Sequence, residues 1–268
     1  MKRILSLILA TLMIACLFAG CADAPAEETA DDAKYIKDKG NLKVGITLFA
    51  PMNYNDADGN LIGFETEFAK AVCEKLGVEA EFVEIDWDSK EVELNAKNID
   101  CIWNGMTITE ERKANMSISV PYMKNKQVMV VKAENVEKYA ESVEGAKISA
   151  EAGSAGETVV AEDEFLKKGT YVTSQSMATA LLDVKSGNAD VAVIDYITAL
   201  GSIGEGTDFT DLVVVEGLSF GADEEYGIAF RKDSNLTEEV NGIIAELMAD
   251  GTMDAIAAEY KLTDYIIK

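Results

Sequence analysis

The sequence predicts an α/β fold, and two patterns carry that prediction. Between residues 42 and 103, apolar runs of strand length alternate with helical stretches in a βαβαβ order. That order implies parallel strands with helices on both faces. From residue 147 to 194 the alternation starts again. Periodicity by itself therefore gives an α/β protein of one or two domains.

The elements follow in order. Residues 42–47 form a strand. Residues 65–76 form a helix with Phe68, Ala69, Val72, Cys73 and Leu76 on one face and Gly77 as its stop. Residues 78–85 form a second strand, 89–97 a helix capped by Asp88 or Ser89, and 99–103 a third strand. The run QVMVVK at 127–132 is a strand on which the chain leaves the first unit. A second unit follows: strand 147–150, helix 156–168, strand 171–173, helix 177–186 and strand 191–194. Around residues 219–230 the chain returns. The tail holds a helix over 236–249, apolar at Val240, Ile243, Ile244, Leu247 and Met248. A turn at Asp250–Gly251 and a last helix reaching Tyr260 complete it. No repeat of solenoid period is present.

Composition narrows the function classes. The first twenty residues read as an export signal: Lys2 and Arg3, then sixteen almost wholly apolar residues, Ile4 to Ala19. Such a stretch is short for a spanning helix. Small residues stand directly before Cys21 in Phe18-Ala19-Gly20-Cys21, which looks like a lipobox with Cys21 as the acylated mature N-terminus. Residues 21–33 are small and acidic and suit a solvated tether. The chain has 24 basic and 48 acidic residues, and without Lys2 and Arg3 it has 22 against 48, a formal charge of −26. That charge repels nucleic acid and anionic headgroups, so neither is an expected partner. There is no histidine, which excludes His-based triads and HExxH zinc sites. Cys73 and Cys101 read as small core residues. A disulfide between them stays open, since geometry decides it.

Residues 100–122, DCIWNGMTITEERKANMSISVPY, join a buried strand to a hydroxyl-rich turn, with Arg112 five residues beyond Thr107. A hydroxyl and a planar guanidinium beside a strand end can grip a carboxylate. This segment, and GFETEFAKAVCEKLG at 63–77, resemble the family 3 solute-binding proteins, the polar amino-acid receptors of ABC importers. The resemblance covers nearly everything after residue 33. It implies a two-lobed, periplasmic-binding-protein-like (type II) fold with two hinge strands. Residues 34–125 and 221–268 would form lobe 1, and residues 126–220 lobe 2.

The resemblance also implies a site between the lobes. Phe49 and Trp87 would be its aromatic walls, unless they are packing anchors. Asn104 and Gly105 would present amide or main-chain groups, Thr107 a hydroxyl, and Arg112 would bind the α-carboxylate. Ser154 and the Ala155 N–H, at a small-residue loop opening a helix, would complete that grip. Asp195, at a strand end, would bind the α-ammonium. Glu151 would line the side-chain end and favour a polar or cationic amino acid over an acidic one, or would point to solvent. Lys90 is the one candidate to compensate its charge.

The implied function is an extracytoplasmic, lipid-anchored receptor. It would close on an amino acid, deliver it to an ABC permease in the membrane, work as a monomer and need no cofactor or metal. The same fold also hosts periplasmic dehydratases acting on prephenate or arogenate, which is the rival expectation.

Overall fold

A computed structural model describes residues 31–268; the expected export segment, Cys21 and the expected tether up to residue 30 lie outside the described residues. Thirteen strands are formed among the described residues. They are β1 (Asn41–Ile46), β2 (Tyr54–Asn55), β3 (Leu61–Ile62), β4 (Glu79–Glu84), β5 (Cys101–Ile102), β6 (Met116–Ile118) and β7 (Met123–Lys132). There follow β8 (Lys147–Glu151), β9 (Thr170–Ser174), β10 (Val191–Asp195), β11 (Leu212–Val214), β12 (Phe220–Tyr226) and β13 (Ala229–Arg231).

Two open sheets organise two lobes. The first has the order β4-β1-β5-β13-β6, the second β11-β7-β10-β8-β9 with β12 also on β7. In the first, β1 runs parallel to β4 and β5, as the βαβαβ pattern requires. In the second, β8 is parallel to both β9 and β10. The antiparallel members are those on which the chain passes between sheets. β7 pairs antiparallel with β12, matching Tyr226 to Met123 and Glu224 to Asn125. β13 then inserts antiparallel between β5 and β6. Two strands thus cross side by side between the lobes.

The helix Phe64–Leu76 shows why the first lobe folds as it does. Its buried face (Phe64, Phe68, Ala69, Val72, Cys73, Leu76) recurs at helical spacing. Phe68 stands edge-on to Trp103 at 5.0 Å and to Tyr122 at 5.5 Å between ring centres, a favoured aromatic geometry. Gly63 precedes the helix at φ +127°, and a Cβ there would lie 2.1 Å from the Met52 carbonyl oxygen. Only glycine lets these backbones meet. Gly77 ends the helix in the left-handed conformation, its N–H donating to the Cys73 and Glu74 carbonyls.

Several elements depart from expectation. The helix expected over 156–168 breaks: Ala155–Glu162 is followed by a 3-10 turn at Leu166–Lys168. Asp163 turns extended (ψ 132°), and its carboxylate accepts from the Phe165 and Leu166 N–H groups, so the side chain competes with the helix for backbone donors. Neither Asp88 nor Ser89 caps the next helix through its side chain. A 3-10 turn at Trp87–Ser89 instead runs straight into Lys90–Asn95. The short helices Glu110–Asn115, Val136–Glu141 and Tyr196–Ser202 were not foreseen; one or two turns give too little apolar periodicity to read. Cys73 and Cys101 are free, buried thiols.

The tether reading also ends early, because a helix occupies Asp32–Lys39 with Asp31 accepting from the Lys34 N–H. Asp32 is buried, and its carboxylate takes the Arg231 guanidinium at 3.1 Å. Arg231 also reaches Asp100 and the Ile99 carbonyl. Asp32→Ala should therefore lower unfolding free energy by about 1–3 kcal/mol in urea titrations, the range for losing a charged buried hydrogen bond. An unchanged midpoint would mean that Asp100 and Ile99 hold Arg231 without Asp32.

Candidate ligand-binding site

Beyond β5 the chain is fixed from both sides. The Asn104 carboxamide oxygen accepts from the Thr47 N–H (2.9 Å) and hydroxyl (2.7 Å), and its nitrogen donates to the Thr47 carbonyl and to Asn53 Oδ1, both at 2.9 Å. The Gly105 N–H donates to both oxygens of the buried Glu65 carboxylate at 2.9 and 3.0 Å. Asn104 and Gly105 were expected to present amide or main-chain groups to a ligand; of these, the Asn104 side-chain amide and the Gly105 N–H are engaged within the lobe. Those two groups hold the loop, because their donors are already used inside the lobe.

That loop aims the next residues. Thr107 Oγ1 donates to Glu224 Oε2 at 3.1 Å. Thr109 caps the helix Glu110–Asn115 by accepting from the Arg112 N–H, placing Arg112 in its first turn. The buried Arg112 guanidinium donates to the Thr107 carbonyl at 2.7 Å and, from the first lobe to the second, to the Gly153 carbonyl at 3.3 Å. Burial lowers its pKa, while Asp195 and Glu224 favour the charged form.

Lys90 is a second cation on the same wall. It is buried and donates to the carbonyls of Trp87 (3.1 Å) and Gly153 (3.0 Å), with its ammonium 4.9 Å from the centre of the Trp87 ring. Burial and the nearby Arg112 charge bring its pKa down to about 8. Lys90 was only a candidate on sequence position, and no periodicity marks it.

The second lobe contributes the acids at the ends of two neighbouring parallel strands. Asp195 ends β10, where Gln127 Nε2 donates to Oδ1 and the Tyr226 hydroxyl to Oδ2 at 2.6 Å. Burial and the Glu224 charge raise it to about 7. Glu151 ends β8 and is 2% exposed, which rules out the solvent-facing alternative. Burial and Asp195 raise it to about 8, against the pull of Lys90. Its Oε1 has no hydrogen-bond partner. Ser154 Oγ caps the helix Ala155–Glu162 by accepting from the Glu157 N–H at 3.1 Å, so the hydroxyl hydrogen remains for an anion.

A cleft of about 660 Å³ runs along this contact, lined among others by Lys90, Thr107, Arg112, Gly153, Ser154, Ala155 and Glu224. Of the expected site residues it gathers Thr107, Arg112, Ser154 and Ala155. Asp195 and Glu151 lie buried away from its lining, as do Phe49 and Trp87, which pack into two separate apolar clusters of the first lobe. Sequence reading missed Glu224, which accepts from Thr107, Asn125 and Gln127. Its signal was the alternation of Asp223, Glu224 and Glu225 along β12, in which only the middle residue turns inward.

Comparison with known proteins adds a family. The pattern of the bacterial extracellular solute-binding proteins, family 3, matches residues 42–263. An L-cystine-binding protein of Escherichia coli (strain K12) is 33% identical over 233 residues, 84% of each chain. Among solved structures, an ABC uptake transporter substrate-binding protein from Streptococcus pneumoniae with bound histidine superposes with a TM-score of 0.79. It is 30% identical, over 90% of this chain and 100% of that one. An ancestral amino-acid-binding protein, a precursor of cyclohexadienyl dehydratase, gives a TM-score of 0.74 at 32% identity, over 85% and 98%.

Proposed function

The chain belongs to the bacterial extracellular solute-binding proteins of family 3, and from that premise we propose that it captures a free amino acid between its lobes and passes it to an ABC permease. One observation carries the reading. Arg112, a buried guanidinium on one lobe, and Asp195, a buried carboxylate on the other, are opposite charges, and the Asp195 charge favours the charged form of Arg112. An amino-acid zwitterion has the complementary pair. Its α-carboxylate would take Arg112 with Thr107, Ser154 and the Ala155 N–H; its α-ammonium would take Asp195. Because the two partners sit on different lobes, the ligand would stabilise the closed arrangement over the open one. Glu151 would favour a polar or cationic side chain over an acidic one. Phe49 and Trp87 would serve as packing support behind the pocket.

The other parts of the proposal lie outside the cleft. The protein would be exported, monomeric and held at the outer face of the membrane by lipid on Cys21. Cys21→Ala should abolish fatty-acid labelling; wild-type protein that takes up no label would remove the anchor. The chain would do no chemistry, so prephenate should keep its absorbance in its presence. A thermal-shift screen over amino acids tests the core of the reading. A ligand at 100 times its Kd should stabilise the protein by about 2.7 kcal/mol.

Asp195 gives the binding a pH signature. Its pKa stands at about 7, and a ligand ammonium against it would lower that value. Binding near pH 6.5 should release a fraction of a proton, and affinity should rise with pH through about 7. Calorimetric enthalpies in phosphate and Tris should then differ. Equal enthalpies would mean that Asp195 is already ionised, or that it does not meet the ligand.

A further inference from the structure

We propose that the helix Tyr196–Ser202 is a closing contact made by the protein alone: its Ile197 and Gly201 seat on the first lobe away from the cleft and set how long a captured amino acid is held. This rests on the receptor reading above and adds two positioning residues to it, neither of which touches the ligand.

The helix belongs to the second lobe but is packed on two faces. Asp195, the last residue of β10, stands at its N-cap position. Ala199 is buried in a second-lobe cluster with Val128, Ala192 and Leu212, and Thr198 Oγ1 donates to Met177 Sδ at 3.1 Å. Ile197 and Gly201 are four residues apart and so share another face. Ile197 is fully buried. Among the described residues it is the one member of segment 126–220 in the apolar cluster of the first lobe, which also holds Phe49 and Met52. One turn further on, a Cβ on Gly201 would lie 2.5 Å from both N and Cδ of Pro51 and 2.6 Å from the Ala50 carbonyl carbon.

That close approach accounts for the glycine. Gly201 is helical and has no left-handed φ, so its conformation does not call for glycine, and glycine weakens a helix relative to alanine. The turn it meets is braced. The Phe49 N–H donates to the Asn53 carbonyl at 2.7 Å, and the Pro51 and Met52 carbonyls accept from the Phe64 and Glu65 N–H groups at 2.9 and 3.1 Å. A side chain at residue 201 would therefore push the lobes apart rather than displace the turn.

Position gives the contact its effect. Ala50, Pro51, Ile197 and Gly201 do not line the cleft. When the lobes part, Ile197 loses its first-lobe neighbours to water; closing hides it again, which is favourable. The ligand enters while the lobes are apart, so this contact forms after entry and acts on release rather than on capture. Because Asp195 leads directly into the helix, a lobe seated at Ile197 and Gly201 also holds Asp195 in its place.

The test is stopped-flow kinetics and calorimetry on wild type, Gly201→Ala, Ile197→Ala and Leu200→Ala, with small-angle X-ray scattering of each protein saturated with the probe. The probe is the tightest wild-type binder among the standard L-amino acids and L-cystine. Leu200 is exposed on the same helix and serves as the control. Gly201→Ala should release the probe roughly tenfold faster, as expected for a methyl forced into a packed contact. Its association rate should stay within roughly twofold of wild type, and its saturated form should have a larger radius of gyration. Ile197→Ala should release the probe roughly tenfold faster or more while keeping the wild-type radius, because it removes volume instead of adding it. Leu200→Ala should change neither quantity. Wild-type release rates in both Gly201→Ala and Ile197→Ala, or an equal loss in Leu200→Ala, would overturn the proposal. Gly201→Ala decides the question even if Ile197→Ala, which opens a cavity, fails to fold. If wild type binds no amino acid, the receptor reading itself fails; binding that the variants leave unchanged fails this inference alone.

Discussion

Arg112→Lys should weaken amino-acid binding by roughly 30-fold or more, although the charge is kept. Removing one side of a buried, hydrogen-bonded charge pair typically costs about 2–5 kcal/mol. A guanidinium can present two parallel N–H groups to a carboxylate, and an ammonium cannot reproduce that fork. Arg112 also reaches from the helix Glu110–Asn115 to the Gly153 carbonyl of the other lobe, so a shorter-reaching donor loses the bridge as well. Arg112→Ala should lose more. Calorimetry with an unchanged dissociation constant for Arg112→Lys would remove Arg112 from the site.

Asp195→Asn should cost a comparable factor for an amino acid, and much less for its analogue without the α-ammonium. The same substitution separates binding from folding. Asp195 has its folded pKa raised to about 7 from an ordinary 3.8. For an acid shifted upward, the folded chain binds the proton more tightly than the unfolded one. Wild-type stability from this group is therefore fully present below about pH 4 and is lost as pH rises to about 7. Asparagine has no such loss, so above pH 7 the variant should be at least as stable to urea as wild type, even while it binds poorly. Equal loss for both ligands would make Asp195 a structural residue.

The parallel parts of both sheets were legible because their strands and helices alternate at different periods. Val191 to Ile194 is an unbroken apolar run, and the helix at 65–76 repeats its buried face every three to four residues. Arg112 and Asp195 could be found from their positions beside a strand end. Glu65 could not be read as a support for Gly105, nor Asn104 as a brace for Thr47, because each acts through a partner about 40 or more residues away. Lys90 is more instructive. In sequence it is one lysine in an acidic stretch, and only folding brings it over Trp87 and against Gly153.

The central claim is that one zwitterion is gripped by its two charged groups from the two lobes. Titrating the protein with its best-binding amino acid, that compound's desamino analogue and its decarboxylated analogue tests this most directly. The expected result is one site per chain for the amino acid, with both analogues weaker by roughly 30-fold or more. If either analogue binds as tightly as the parent, the group it lacks is not held, and the assignment of Arg112 or Asp195 to it is wrong.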